Sequence, residues 1–298
     1  MSSRGRAPHG RGDPAGALTG LQRPVSLART SKVKHILKLK EPLEQLYQNY
    51  SYEYLKSDPL WFAHQYKDPL DQELVAFIAS AFAYGSVPQI FKGVESILKP
   101  LGSQPLEKLK SISFKGVYKN FSYRFHKENE LKIFLQLLAE VYRRYHSLKK
   151  LFQKHYRAKD ENISESLSSF VDEILSFDAS AKNNSKITFL FSSPRRASSC
   201  KRMNLFLRWM VRRGDKLDLG FWDFVSPSQL VIPLDTHIQW VASALGLTQR
   251  KSPNWKMAEE ITQNLKLLDP EDPVKYDFAL TRLGILGLEP PESLKSFF

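Results

Sequence analysis

The chain has one cysteine in 298 residues, Cys200. That excludes an internal disulfide framework, a structural zinc site built from several thiolates, and a cysteine-ligated iron–sulfur cluster. No run approaches the ~20 consecutive apolar residues needed to cross a bilayer. Acids are scarce, 31 against 44 lysines and arginines, which leaves a net charge of +13. A surplus of that size points to a polyanionic partner, most simply nucleic acid. The histidines show no metal-ligand spacing such as HExxH, so no metal is expected.

Residues 1–31 lack almost everything a folded segment needs. They are rich in Gly, Arg, Pro and Ser, with one acid, Asp13, and no hydrophobic stretch. Such a segment cannot offset its ordering entropy, so a disordered basic tail is expected, without the apolar part of a secretory signal. An organellar transit peptide, an over-extended gene start and a basic arm all suit it.

What is present, from about residue 32 to 298, is helix after helix. Apolar residues make up 42% of the chain and aromatics 12%, enough for a sizeable core. The stretch from Asp71 to Gly85 has an N-cap acid, a glycine stop and apolar positions at 74, 75, 77, 78, 81 and 82, and reads as the central buried helix. Further helices are expected at 41–56, 88–99, 130–145, 163–176, 200–213, 235–245, 255–267 and 274–286. Only KITFLF at 186–191 and LVIP at 230–233 carry a strand signal, and these short apolar runs suit either extended chain or loop. The expectation is a single all-α unit. Residues 142–157 interleave six cations with Tyr142, Tyr145, Phe152 and Tyr156, as in an amphipathic helix pair or a phosphate-binding face.

Two residues carry the chemistry. In SPRRASSCKRMNLFLRWMVRR, Ser198 or Ser199 can cap a helix that places Lys201 in its first turn, where the helix dipole disfavours a positive charge. Arg195, Arg196 and Arg202 add to that, and a lysine needs to shed its proton to act as a nucleophile. The same basic loop also serves as a phosphate-binding turn. In VIPLDTHIQWVASALGL, Asp235 stands at a helix start, where an N-cap explains it without any function.

Together the two segments resemble the helix-hairpin-helix (HhH-GPD) DNA glycosylases. IPLDTHIQWVASALGL is similar to their VDTHVxRVxxRLGL segment, CKRMNLFLRWM to the helix carrying their Schiff-base lysine, and DQELVAFIASAFAYGSVPQIFKGVESIL to their first core helix. The resemblance covers roughly residues 70–100 and 195–290, in the same order. From about residue 45 the chain also resembles a bacterial family known only as a domain of unknown function, through CKRMNLFLRWMVR, LDLGFW, IPLDTH and DPVKYDFAL. The LPGxG hairpin is replaced by SSPRRASSC, and Asp235 follows Lys201 by 34 positions. That longer layout is similar to the archaeal 8-oxoguanine DNA glycosylases.

The resemblance implies two helical lobes around a central cleft, and base excision without a cofactor. The ligand would be double-stranded DNA bearing an oxidised purine such as 8-oxoguanine. Lys201 would be the nucleophile, with possible AP-lyase activity to follow, and Asp235 its proton acceptor and the stabiliser of charge on the sugar. Phe82, Tyr84, Arg208, Trp209 and Asp277 would form the base pocket, although core packing accounts for Phe82 and Trp209 as simply. Arg195, Arg196, Ser198, Ser199 and Arg202 would hold phosphates. A monomer in the cytoplasm, associated with the nucleoid, fits this reading. A non-catalytic DNA- or RNA-binding protein on the same scaffold is the alternative. A hydrolase using Asp235 and His237 on a metal, or a helical scaffold for acidic proteins, fits the residues less well.

Overall fold

A computed structural model describes residues 23–50, 52–286 and 292–297. The chain is all-α, with 62% helix, 2% strand and sixteen helices among the described residues. In order these are α1 (Arg23–Leu37), α2 (Lys40–Asn49), α3 (Trp61–His64), α4 (Pro69–Ala81), α5 (Val87–Leu98), α6 (Pro105–Ser111), α7 (Glu128–Tyr145) and α8 (Leu148–His155). They continue with α9 (Ser164–Ser176), α10 (Ala179–Asn183), α11 (Ser185–Leu190), α12 (Lys201–Val211), α13 (Thr236–Ala244), α14 (Trp255–Lys266), α15 (Asp277–Leu286) and α16 (Glu292–Lys295). None of the described helices is long and apolar enough to cross a membrane.

The chain divides by contact into residues 1–35 and 36–298. The expected disordered tail lies outside the described residues up to position 22; from Arg23 the described residues are already helical, part of α1. Pro24 in its first turn and the absence of glycine from Arg23 to Leu37 suit that start.

Helix α4 is the centre of the larger unit. Residues Leu74 to Ala79 have no exposed surface. Burying each large side chain there is worth about 1.5–3 kcal/mol. The small residues Ala76, Ala79 and Ser80 allow α12 and α3 to pack closely against it. Its cap is Asp68, which accepts from the backbone N–H groups of Leu70 and Asp71. Asp71, expected in that role, instead accepts from the Leu106 N–H at 2.8 Å and so secures the start of α6.

Glu73, one residue along from α4's buried stripe, has its carboxylate wholly inside. It accepts from Trp222 Nε1, Tyr142 Oη and the N–H groups of Leu148 and Lys149, at 2.8 to 3.0 Å. One acid thereby joins α4, α7, α8 and the 222 segment.

Of the two runs expected to be extended or loop, KITFLF is helical and LVIP is extended. KITFLF forms α11, because Asn184 accepts from the N–H groups of Lys186 and Ile187 and caps a helix whose Ile187 and Leu190 face the core. LVIP is extended but pairs with no strand: the Ile232 N–H donates to Thr262 Oγ1 at 3.0 Å. The one hairpin among the described residues, Ser122–Tyr123 against His126–Lys127, carries no sequence signal of alternation long enough to detect.

The 142–157 stretch is a helix pair, broken where His146 takes a left-handed conformation and Ser147 caps α8. Its cations largely have carboxylate partners already. Arg143 and Arg144 pair with Glu140, Lys154 with Glu173 and Lys149 with Asp223.

Candidate active site

Helix α12 begins without a side-chain cap: Cys200, at its N-cap, sits at φ 52°, and neither Ser198 nor Ser199 takes an N–H of the first helical turn. Ser198 Oγ accepts from the Cys200 N–H, and Ser199 Oγ donates to the Leu234 carbonyl. The second of those bonds ties the loop before α12 to the segment before α13. It brings the first turn of one helix beside the first turn of the other.

Lys201 and Asp235 meet there. Lys201 Nζ lies 3.3 Å from Asp235 Oδ2 and donates to the Ala83 carbonyl at 3.2 Å. The other carboxylate oxygen, Oδ1, accepts from the Ile238 N–H at 2.9 Å and caps α13. The acid therefore serves both purposes its position allowed, one oxygen to the helix and one to the amine. Both side chains are partly buried, with 27% and 13% of their surface exposed.

The pair borders a cavity of about 390 Å³. That falls within the range of about 300–1,000 Å³ typical of small-molecule sites. Lys201, Leu205 and Arg208 line it from one face of α12, as spacings of three and four residues require. Asp277, Phe278, Thr281, Arg282 and Ile285 line it from one face of α15. The turn after α4, the start of α5 and Asp58 close the rest.

The floor is charged but internally neutralised. Arg208 pairs with Asp277 and, at 3.3 Å, with Asp218; Arg282 pairs with Asp58 at 2.7 Å. Arg212 extends the set to Asp218, Asp215 and Asp272. Burial works against the Arg208 charge, yet Asp218 and Asp277 more than offset it and hold its proton more tightly than usual. Burial pushes the Asp277 carboxyl up to about 6 despite Arg208 beside it. Asp277 Oδ1 and Arg282 Nε are buried with no hydrogen-bond partner in the protein.

The remaining expected site residues fall elsewhere. Phe82 and Trp209 have no exposed surface and belong to the core, away from the cavity. Phe82 packs edge-on against Tyr123, Phe121 and Phe134, and Trp209 lies on the flank of α12 beside its cavity-lining face, without lining the cavity. Tyr84 also misses the cavity. It turns toward the hairpin and packs among Tyr123, His126 and Phe189.

Of the expected phosphate ligands, Arg202 is only 9% exposed, donates to the Phe189 carbonyl and stacks 3.7 Å from that ring's centre. Burial lowers its guanidinium to about 10. It is a core arginine rather than a surface cation. Arg195 reaches Glu165 and Asp172, so two acids already answer its charge. Arg196 is exposed on the same turn. Arg195 and Arg202 are engaged in this way, and the ionic partner of Lys201 is Asp235.

Sequence reasoning missed Asp58, Arg282 and Phe278 as cavity residues. Arg282 left a trace, since it is a lone cation in the apolar run FALTRLGIL, where only a buried acid could accept it. Asp58 left none.

Among the described residues no group of three or more His, Cys, Asp or Glu could hold a metal ion. His237 borders the cavity beside Asp235, but no third ligand joins them.

No curated protein and no solved structure matches the chain. One family model does, across residues 58–286, which is more than half of the sequence. That span takes in every residue lining the cavity except Ser57. The chain belongs to the DUF2400 family, described as proteins of unknown function.

Proposed function

We propose that this protein is a DNA glycosylase with a helix-hairpin-helix type fold, one domain from about residue 32, acting on a damaged base in duplex DNA. An oxidised purine such as 8-oxoguanine is the proposed substrate. The observation that carries the reading is the 3.3 Å approach of Lys201 Nζ to Asp235 Oδ2 at the edge of a cavity of about 390 Å³. A base must leave the duplex before chemistry can reach its sugar bond, and a cavity beside the reactive pair gives it somewhere to go.

The steps follow from the pair. Asp235 Oδ2 takes a proton from Lys201, and the freed amine attacks C1′ of the everted nucleotide. The glycosidic bond breaks with its electrons going to the base, which leaves after picking up a proton. The sugar ring then opens to an imine on Lys201. The base takes that proton from Asp235, and the restored carboxylate faces the positive charge growing on the sugar, an interaction worth on the order of 3 kcal/mol when water is kept out. Should water attack instead, Asp235 would act as its base and Lys201 would only position the phosphate or sugar. Arg208 and Asp277 on the floor offer a donor and an acceptor for the base edge.

The test uses the whole protein and a panel of duplexes, each with a single lesion, treated with borohydride. The expected result is a covalent adduct that survives denaturation and is lost in Lys201→Gln. Base release without an adduct would assign the chemistry to water and Asp235. Neither product on any lesion would overturn the proposal.

One observation favours a second reading. Lys201 also donates to the Ala83 carbonyl, so it can be a clamp joining α12 to the turn after α4. A non-catalytic DNA- or RNA-binding protein would then remain, recognised by tight binding that weakens steeply with salt and yields no product.

A further inference from the structure

Helix α5 stands between two hollows. Val87 and Ile90 face the Lys201 cavity, whereas Gln89, Lys92, Gly93 and Ser96 line a groove of about 530 Å³ on its other side. The groove's far wall is the segment from Val117 to Arg124. Its charged residues are Lys92, Lys119 and Arg124, all exposed, and no acid lines it. None of the three pairs with a carboxylate among the described residues, in contrast to the cations of α7 and α8.

Two features join this groove to the cavity. Arg124 occupies the hairpin turn at φ 51°, a left-handed conformation unfavourable for any residue with a side chain. That turn lays its guanidinium against Gly85, where an added Cβ would lie 3.3 Å from Arg124 Nη1, and Gly85 itself lines the Lys201 cavity. The next residue, Phe125, is 42% exposed although it packs on Tyr84, His126 and Phe189. An aromatic ring supported from below and open above is a stacking platform, and only an unpaired base has a face free to use it.

We infer that the Lys92–Lys119–Arg124 groove and the Phe125 ring form a subsite for unpaired nucleic acid, which holds the backbone of the strand flanking the nucleotide in the Lys201 cavity. The groove supplies three phosphate partners and the hairpin tip supplies one stack. Duplex DNA can satisfy the cations but not the ring. The protein therefore prefers a strand that is single, or locally opened, next to the cavity. This goes beyond the glycosylase reading and does not depend on any bond being made or broken.

Binding of the full chain to fluorescein-labelled oligonucleotides, single-stranded and blunt duplex of equal length, tests the subsite by anisotropy across a salt series. The single strand is expected to bind tighter. Replacing Lys92, Lys119 and Arg124 together by Gln should flatten the slope of log K against log salt by about 2, since each single-strand phosphate contact contributes about 0.7. Phe125→Ala should weaken single-strand binding by about 5- to 150-fold, the span of one base–aromatic stack, without altering that slope. All four side chains are exposed, so the variants should fold.

Equal affinity for the two forms, or Phe125→Ala binding like the parent, would overturn the subsite. So would heparin of matched charge competing equally against the parent and Phe125→Ala. Neither adduct nor base release by the parent, with groove binding intact, would sink the glycosylase reading alone, and an adduct formed by the parent with groove variants that bind like it would sink only the subsite.

Discussion

Gly284 of α15 lies directly against His237 of α13, so that a Cβ at 284 would come within 2.6 Å of both His237 Cβ and Nδ1. The two helices that carry Asp277 and Asp235 are thus in contact where neither can retreat. Gly284→Ala should force them apart or turn His237 out, at a cost of about 1–3 kcal/mol typical of overpacking. Thermal unfolding should show a clear fall in Tm. An unchanged Tm would mean that the helices slide past one another freely.

The two oxygens of Asp235 can be separated by substitution. Asn is as good an N-cap as Asp, so Asp235→Asn should keep the bond to Ile238 and leave stability within a few tenths of a kcal/mol. Asp235→Ala should lose about 1 kcal/mol. Both should lower adduct formation, by about a hundredfold or more, if the second oxygen acts on Lys201. Retained activity in the Asn variant would reduce Asp235 to a cap.

Asp277 should titrate near pH 6, because burial raises its carboxyl to about 6 against Arg208. An acid raised in the folded state binds its proton more tightly there than in the unfolded chain. Its contribution to stability is therefore fully present below the unfolded value of 3.8 and is lost as pH rises to about 6. The slope in that window is at most about 1.4 kcal/mol per pH unit. Carboxyl carbon NMR of the labelled protein should place the midpoint there. Glu140, bonded to Arg143 and weakly opposed by burial, should titrate far lower, at about 2. An Asp277 midpoint below 4 would show that its site is wetter than the structure has it.

Glu73 answers four buried donors with one carboxylate. Glu73→Ala would leave Trp222, Tyr142 and two N–H groups unpaired, and each such group costs about 1–3 kcal/mol. Denaturant unfolding should show a loss of several kcal/mol, or no soluble protein at all. Glu73→Gln, which turns an amide NH₂ toward two of the donors, should fall between. A loss under 1 kcal/mol for Ala would mean that water enters.

Much of the fold was legible because α4, α7, α9 and α14 keep an apolar face at helical spacing, although α4 ends at Ala81, ahead of the glycine expected to stop it. Caps were harder. Asp68 and Asp71 are both acids near one helix start, and only the position of Leu106 decides which of them serves α4. KITFLF was ambiguous because a six-residue apolar run has no period to measure, and Asn184 settled it locally. Lys201 and Asp235 could be singled out, but their meeting depends on the Ser199–Leu234 bond between segments 35 positions apart. The aromatic candidates misled for a plain reason. Phe82, Tyr84 and Trp209 sit beside the right residues in sequence, while a helix or turn points neighbours in different directions.

The sealed charges beneath the cavity carry one more implication. Arg208, Arg212 and Arg282 lie among Asp58, Asp218 and Asp277, three cations against three anions, with Asp215 and Asp272 at the margin. That interior cancels itself, so the surplus of thirteen positive charges belongs to the remainder of the chain. Lysine and arginine keep their protons well past neutrality. Dissolved salt, more than acidity, will accordingly govern how strongly this molecule repels its own copies and clings to anything anionic.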